Sequence, residues 1–209
     1  MIGILGGTFN PIHFGHLRVA IEVKESFHLA ELRLLPCACP PHREQPSVSA
    51  HQRAAMVKLA IAKHPGLFCD ERELQRPGPS YMVDSLQSLK QEVADETLLL
   101  FIGTDAFSQL TSWSRWQQLF TYAHVVVMVR PENPLPLMQP FFLERLAQDA
   151  NDLTLSPHGK LHIHSVTQLA ISATTIRTLF AEQHNPSFLL PDAVIEYIQQ
   201  HQLYHHTVR

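Results

Sequence analysis

Cysteine, positive charge and long apolar runs are all in short supply here, and each shortage excludes something. The three cysteines, Cys37, Cys39 and Cys69, are odd in number and form no C-x-x-C pair. This argues against a disulfide scaffold, and the thiols read as small buried residues of a reducing compartment. With a formal net charge of −3, the chain lacks the basic face of a general nucleic-acid binder. Local backbone N–H groups can still hold a small phosphorylated substrate. The longest apolar runs, Leu98–Ile102 and Val125–Val129, are far too short to span a bilayer, which takes about 20 residues. The opening Met1–Gly7 has no basic region and no cleavage site, so no signal peptide is expected. These absences predict a cytoplasmic protein with no membrane and no nucleic-acid partner. The glycines fall in neither G-x-G-x-x-G nor G-x-x-x-x-G-K-[ST], so a dinucleotide-oxidoreductase fingerprint and a Walker A loop are both missing.

What is present is 45% hydrophobic and 17% charged residues, ordinary for a globular chain. At 209 residues the expectation is a single domain, 1–209, burying roughly 70% of its unfolded surface without disulfide or metal. Short apolar runs alternate with stretches of helical spacing. Ile2–Leu5, Leu32–Leu35, Leu67–Cys69, Thr97–Ile102, His124–Val129 and Leu161–Val166 read as strands. Helices are predicted from Gly15 to Phe27, Ser49 to Lys63, Ser80 (as N-cap) to Glu92, Thr104 to Leu110, Ser114 to Phe120, Phe141 to Asn151, Ser172 to Glu182 and Asp192 to Gln202. Pro36, Pro40, Pro41 and Pro46 make Cys37–Ser49 a loop, and Pro131, Pro134, Pro136 and Pro140 punctuate the middle. This alternation predicts a Rossmann-like, doubly wound α/β fold: a mostly parallel sheet with helices on both faces and a small helical C-terminal part from about residue 172.

In an open parallel sheet, ligands bind beyond the carboxyl ends of the strands. The first strand-to-helix turn lies there: Gly6-Gly7-Thr8-Phe9-Asn10-Pro11-Ile12-His13-Phe14-Gly15-His16. Gly6, Gly7 and Gly15 let backbone approach phosphate closely. The helix beginning supplies free N–H groups and a positive dipole end, and His13 and His16 bracket it as donors to phosphate oxygens. A His-x-x-His metal site is disfavoured because no third ligand matches. A second helix beginning, Ile171-Ser172-Ala173-Thr174-Thr175-Ile176-Arg177, offers Ser172 as N-cap, Thr174, and Arg177 one and a half turns on. Taken alone, that segment is an ordinary capped helix with a surface arginine.

Together, the two segments resemble the nucleotidyltransferase superfamily with a His-x-Gly-His signature, here His13-Phe14-Gly15-His16. The run from Gly6 to Leu17, with Ile171–Arg177, resembles the bacterial nicotinate-mononucleotide adenylyltransferases. The resemblance covers nearly the whole chain: Pro40-Pro41-His42-Arg43, Asp70-Glu71-Arg72-Glu73-Leu74, Pro79-Ser80-Tyr81, Gly103-Thr104-Asp105 and Trp113 fall in the expected order. Three positions depart from the family pattern, with Asn10 for Asp, Met82 for Thr and Ala173 for Ser.

The resemblance implies adenylyl transfer from ATP to nicotinate mononucleotide, giving nicotinate adenine dinucleotide and pyrophosphate, with Mg²⁺ bridging phosphates and taking few or no protein ligands. It implies His13, His16 and Arg177 as catalytic donors to the ATP phosphates. Gly6, Gly7, Thr8, Phe9, Gly15, Gly103, Asp105, Ser172 and Thr174 are then ATP-binding. His42, Arg43, Ser80, Tyr81 and Trp113 are nicotinate-nucleotide-binding, with Trp113 as a stacking platform for the pyridine ring. Trp116 reads as a core aromatic, and His162, His164 and the C-terminal histidines receive no chemistry. Two alternatives stand beside this reading. One is another adenylyltransferase of the superfamily, acting on nicotinamide mononucleotide, pantetheine phosphate or flavin mononucleotide. The other is a non-catalytic nucleotide sensor, against which retention of all three donors argues. The sequence leaves homo-oligomerisation open.

Overall fold

The computed structural model describes residues 1–41, 46–129, 138–167 and 169–205. Within them lies one sheet of six strands: β1 (Ile2–Gly7), β2 (Glu31–Pro36), β3 (Leu67–Cys69), β4 (Leu98–Gly103), β5 (His124–Val129) and β6 (Leu161–Ser165). Their order is β3-β2-β1-β4-β5-β6, and every pairing is parallel. The expected mostly parallel sheet is thus wholly parallel among the described residues. The cause is visible in β4 and β5, whose unbroken Leu, Ile, Val and Phe runs have no polar face to turn to water and must be covered on both sides.

Helices provide that cover: α1 (Phe14–Ser26), α2 (Ala50–Ile61), α3 (Met82–Glu92), α4 (Thr104–Ser108), α5 (Leu119–Tyr122), α6 (Pro140–Leu143), α7 (Ala173–Ala181) and α8 (Asp192–Gln200). Strand side chains alternate between two cores. Leu99, Phe101, Val126 and Met128 pack with α1, α2, α7 and α8. Leu98, Leu100, Ile102, Val125 and Val127 pack with α3 to α6. The C-terminal helical part belongs to the first of these cores, through Ile176, Phe180, Val194 and Ile198. Helix α2 starts where Ser49 and Gln52 exchange bonds in a capping box: Gln52 N–H donates to Ser49 Oγ at 3.3 Å, and Ser49 N–H to Gln52 Oε1 at 3.2 Å. Among the described residues, no helix is long and apolar enough to cross a membrane.

Four helical expectations need correction. The N-cap of α3 is Tyr81 rather than Ser80, because the Ser80 hydroxyl is turned away onto the N–H groups of Ala38 and Cys39 at 3.1 and 3.0 Å. The 104–110 helix stops at Ser108 and resumes as a 3₁₀ turn over Leu110–Ser112. The 114–120 segment becomes a 3₁₀ turn, Trp116–Gln118, running into α5, since Arg115 sits in the left-handed region at φ 50°. The 141–151 helix is cut to α6. After it, Arg145 and Ala147 pair with Leu161 through two backbone bonds of 2.8 Å, covering the edge of β6 and satisfying groups that would otherwise stay open. Asp149 then starts a new 3₁₀ turn by accepting from the N–H groups of Asn151 and Asp152.

One ionic cluster fixes α3 to the sheet. Arg33 on β2 donates to Glu31 at 2.6 Å, to Glu92 at 2.9 Å and to Asp70 at 3.3 Å. Arg72 reaches Asp70 at 2.7 Å and Glu92 at 2.8 Å. The Asp70 side chain is 8% exposed, and both guanidiniums donate to it. Asp70→Ala is expected to leave the two arginines poorly compensated and to lower stability by on the order of 3 kcal/mol. A urea titration checks this; an unchanged midpoint would show the cluster to be ornamental.

Candidate active site

The chain winds outward from β1 to β3 and then restarts at β4 beside β1. At that reversal, the loops after β1 and β4 leave toward opposite faces and open a crevice. A cavity of about 860 Å³ occupies it, with Gly6, Gly7 and Gly103 at the strand ends, Thr8 and Cys37 on one side, and Tyr81, Met82, Asp105 and Trp113 on the other.

The two glycines ending β1 serve packing as much as ligand approach. A Cβ on Gly6 would stand 2.6 Å from the Met82 methyl, and one on Gly7 would stand 2.9 Å from the Phe9 ring. Phe9 itself is left-handed at φ 46°, which costs a side-chain-bearing residue roughly 1–2 kcal/mol. Its ring is 2% exposed and meets His16 edge-on at 5.2 Å, so burial holds the turn in that shape. Phe9 therefore has backbone, not ring, to offer a nucleotide.

His13 caps α1 in extended conformation. Its ring stacks on that of His16 with centroids 3.8 Å apart. The His13 backbone N–H donates to His16 Nδ1 at 3.3 Å, which assigns the His16 proton to Nε2 and makes that nitrogen the outward donor. Burial pulls the His13 imidazole down to about 4. Burial, with the neighbouring His13 adding to it, pulls His16 down to about 3. Both rings are neutral at neutral pH, so each brings one N–H rather than a full positive charge.

The second helix beginning meets the first. Ser172 caps α7, its Oγ accepting from Thr175 N–H at 3.1 Å. Arg177 donates from Nη1 to the Asn10 carbonyl at 2.9 Å and from Nη2 to Thr174 Oγ1 at 3.2 Å. A Cβ on Gly15 would lie 3.6 Å from the Ile171 carbonyl oxygen, so the start of α1 and the approach to α7 touch. The Tyr204 hydroxyl also reaches this loop, donating to Asn10 Oδ1 at 2.7 Å.

Of the residues expected at the site, Gly6, Gly7, Thr8, Gly103, Asp105, Ser80, Tyr81 and Trp113 line the cavity. His13, His16, Gly15, Phe9, Ser172, Thr174 and Arg177 are not among its walls; they gather around the beginnings of α1 and α7. His42 and Arg43 lie outside the described residues. The Ser80 oxygen is engaged by the 38–39 backbone, so its first service is to join two loops. Trp113 is half-buried in the cavity wall, whereas Trp116 packs on Phe141 and Phe142 at 4.8 and 5.3 Å as a core aromatic. His162 and His164 face Phe27, away from the site. Two contributors were missed in the sequence. Tyr204 hides in a tail of polar residues, and Arg53 sits in α2 at 1% exposure with its guanidinium on the Thr8 and Cys37 carbonyls. The signal for Arg53 was available: it is a charge on the helix stripe otherwise made of Met56, Val57 and Ala60.

The depressed imidazoles set a pH dependence. An unfolded histidine titrates near ~6.5, whereas the folded ones stay neutral down to about 4 and 3. Below pH ~6.5 the unfolded chain takes up protons that the native site refuses, so stability falls as pH drops from there toward 4. Urea midpoints measured between pH 7.5 and 5 are expected to fall, and to fall less in a His13→Asn/His16→Asn double variant. Equal slopes in the two proteins would contradict the assignment.

Comparison with known proteins agrees with this geometry. The model of the cytidylyltransferase-like family matches residues 4–179. A probable nicotinate-nucleotide adenylyltransferase of Methylococcus capsulatus is 47% identical over 98% of this chain and 99% of its own. One of the same name from Aeromonas hydrophila is 46% identical over 97% of this chain and 96% of its own. Among solved structures, the Plasmodium falciparum nicotinic acid mononucleotide adenylyltransferase complexed with NaAD superposes with a TM-score of 0.74 at 18% identity, covering 97% of this chain and 96% of that one. That last likeness speaks for the fold. The chain belongs to the cytidylyltransferase-like family and, within it, to the nicotinate-nucleotide adenylyltransferases.

Proposed function

We propose that this chain transfers the adenylyl group of ATP to nicotinate mononucleotide, releasing pyrophosphate and nicotinate adenine dinucleotide in NAD biosynthesis. The observation that carries the reading is the meeting of two helix beginnings, with His13, His16 and Arg177, beside a crevice walled by Trp113 and the start of α3. In the reaction, a phosphate oxygen of the mononucleotide attacks the α-phosphorus in line. A new P–O bond forms as the bond to the β-phosphate oxygen breaks, and pyrophosphate carries away the electron pair. No side chain needs to become covalently attached, so the protein's part is to position and to stabilise charge.

The His16 Nε2–H is the donor assigned to the α-phosphate. Arg177, half-buried on the Asn10 carbonyl, faces the phosphates as the permanent cation of the set. Among the described residues, the acidic residue in the cavity wall is Asp105, and no group of three His, Cys, Asp or Glu side chains is arranged to hold a metal ion. That lining would suit a Mg²⁺ that enters with the nucleotide, with Asp105 the residue that would order its waters. Such an ion would supply charge neutralisation for the leaving pyrophosphate.

Selectivity for the acid follows from the start of α3. The first N–H groups of a helix have no partner within it, and Tyr81 supplies no side-chain cap. Met82 and Val83, both in the cavity wall, therefore present N–H donors that a carboxylate accepts and an amide NH₂ opposes. The mispaired amide costs about 1–3 kcal/mol. The reading sets the enzyme in the cytoplasm, where the Cys37 and Cys69 thiols stay reduced. Its partners are ATP and the mononucleotide rather than nucleic acid or membrane; a homo-oligomer is compatible with it.

Pyrophosphate release tests all of this. His16→Ala is expected to lose about 10²–10³ in turnover, the usual loss of one donor to a developing charge. Near-normal turnover would remove His16 from the mechanism. In the same assay, nicotinamide mononucleotide is expected to react roughly 10-fold or more slowly than the acid, from the mispairing just described. Equal rates would overturn the α3 argument.

A further inference from the structure

A charged residue on the inward face of a helix needs a reason. The buried stripe of α2 reads Arg53, Met56, Val57 and Ala60, and Arg53 is 1% exposed. Its guanidinium meets carbonyl oxygens. Nη1 donates to Thr8 O at 2.5 Å, Nη2 to Cys37 O at 2.6 Å and, more weakly, to Ala38 O at 3.5 Å, and Nε to Val48 O at 3.3 Å. Thr8 follows β1 and Cys37 follows β2, and both line the cavity. From Cys37 the connection runs on: the next two N–H groups, of Ala38 and Cys39, donate to Ser80 Oγ, immediately before the Tyr81 cap of α3. One cation thus touches the loop assigned to ATP and, through a single peptide and Ser80, the helix beginning assigned to the pyridine nucleotide.

We propose that Arg53 is a positioning residue that couples the two substrate half-sites by fixing the phosphate loop and the acceptor loop to one guanidinium. The proposal rests on the adenylyl-transfer reading above. Arginine suits the task because its planar fork sends donors to separate acceptors in fixed directions. Lysine, with a compact ammonium, cannot reproduce that fork, and an apolar side chain of similar length would leave the half-buried Thr8 and Cys37 carbonyls without this donor. The charge also lies behind a loop whose front faces phosphate, adding positive potential where the reaction gathers negative charge.

The test compares Arg53→Met and Arg53→Lys with Met56→Ala, which empties a buried position of the same helix without touching a hydrogen bond of either loop. Melting temperature, kcat, and KM for ATP and for nicotinate mononucleotide are measured on each. Arg53→Met is expected to lower kcat/KM by about 10²-fold, the effect of roughly 1 Å of misplacement, with KM raised for both substrates together. Arg53→Lys falls between it and wild type. Met56→Ala loses melting temperature while keeping wild-type kcat/KM. The proposal is overturned if Arg53→Met keeps wild-type kinetics, if only one KM rises, or if Met56→Ala loses as much activity at a matched melting temperature. Should Arg53→Met fail to fold, Arg53→Lys decides: both KM values raised supports the coupling, and unchanged kinetics refutes it. A wild-type enzyme that releases no pyrophosphate from ATP and nicotinate mononucleotide would sink the adenylyl-transfer reading itself. An active wild type with unaltered Arg53 variants would sink the coupling alone.

Discussion

The strand reversal beside β1 is the constraint from which the rest follows. Because β1 is flanked by β2 on one side and β4 on the other, the helices that follow β1 and β4 fall on opposite faces, α1 in one core and α4 in the other. The sheet cannot close the gap between their connecting loops, so a crevice is built into the topology. Much of the crevice wall is made of loops, and loops do not hold themselves still. The structure answers by tying the loop after β1 to distant parts of the chain: Arg53 of α2, Arg177 of α7 and Tyr204 beyond α8 each bond to it. Phe9 shows why such ties are needed, since its left-handed backbone persists only while its ring stays buried.

Charge is placed with equal economy. The two imidazoles nearest the helix beginning are held neutral by burial, while the guanidiniums of Arg53 and Arg177 are bonded to backbone carbonyls. A site of this kind offers directed N–H groups first and net charge second. It fits a chain whose overall charge is −3 and which must nevertheless gather a polyphosphate. The field that matters is local, built from backbone dipoles and a few fixed donors.

Much of the architecture was legible because the signals were local. The runs ending at Gly7, Gly103 and Val129 are apolar enough to be buried strands and little else. The Ser49 and Ser172 caps are carried by single residues whose side chains act within one helical turn. The HxGH run and the Ile171–Arg177 segment were readable as two helix beginnings, and the structure brings them into contact. What was illegible depended on contacts made across the fold. The 141–151 helix fails because Leu161 claims the backbone of Arg145 and Ala147. Ser80 fails as a cap because its oxygen has better employment on a neighbouring loop. The cavity walls likewise exclude the histidines that the sequence placed at the centre, since a linear motif carries no information about which side of a loop faces the crevice.

The bond from Tyr204 to Asn10 joins points nearly a full chain length apart. Together with Arg177 on the same residue's carbonyl, it makes the loop after β1 dependent on residues 167 and 194 positions further along the chain. A growing polypeptide that has already formed β1, α1 and β2 still lacks these two braces until the segment through Tyr204 has been made. The loop after β1 therefore takes its final shape only once that distant segment has folded back onto it.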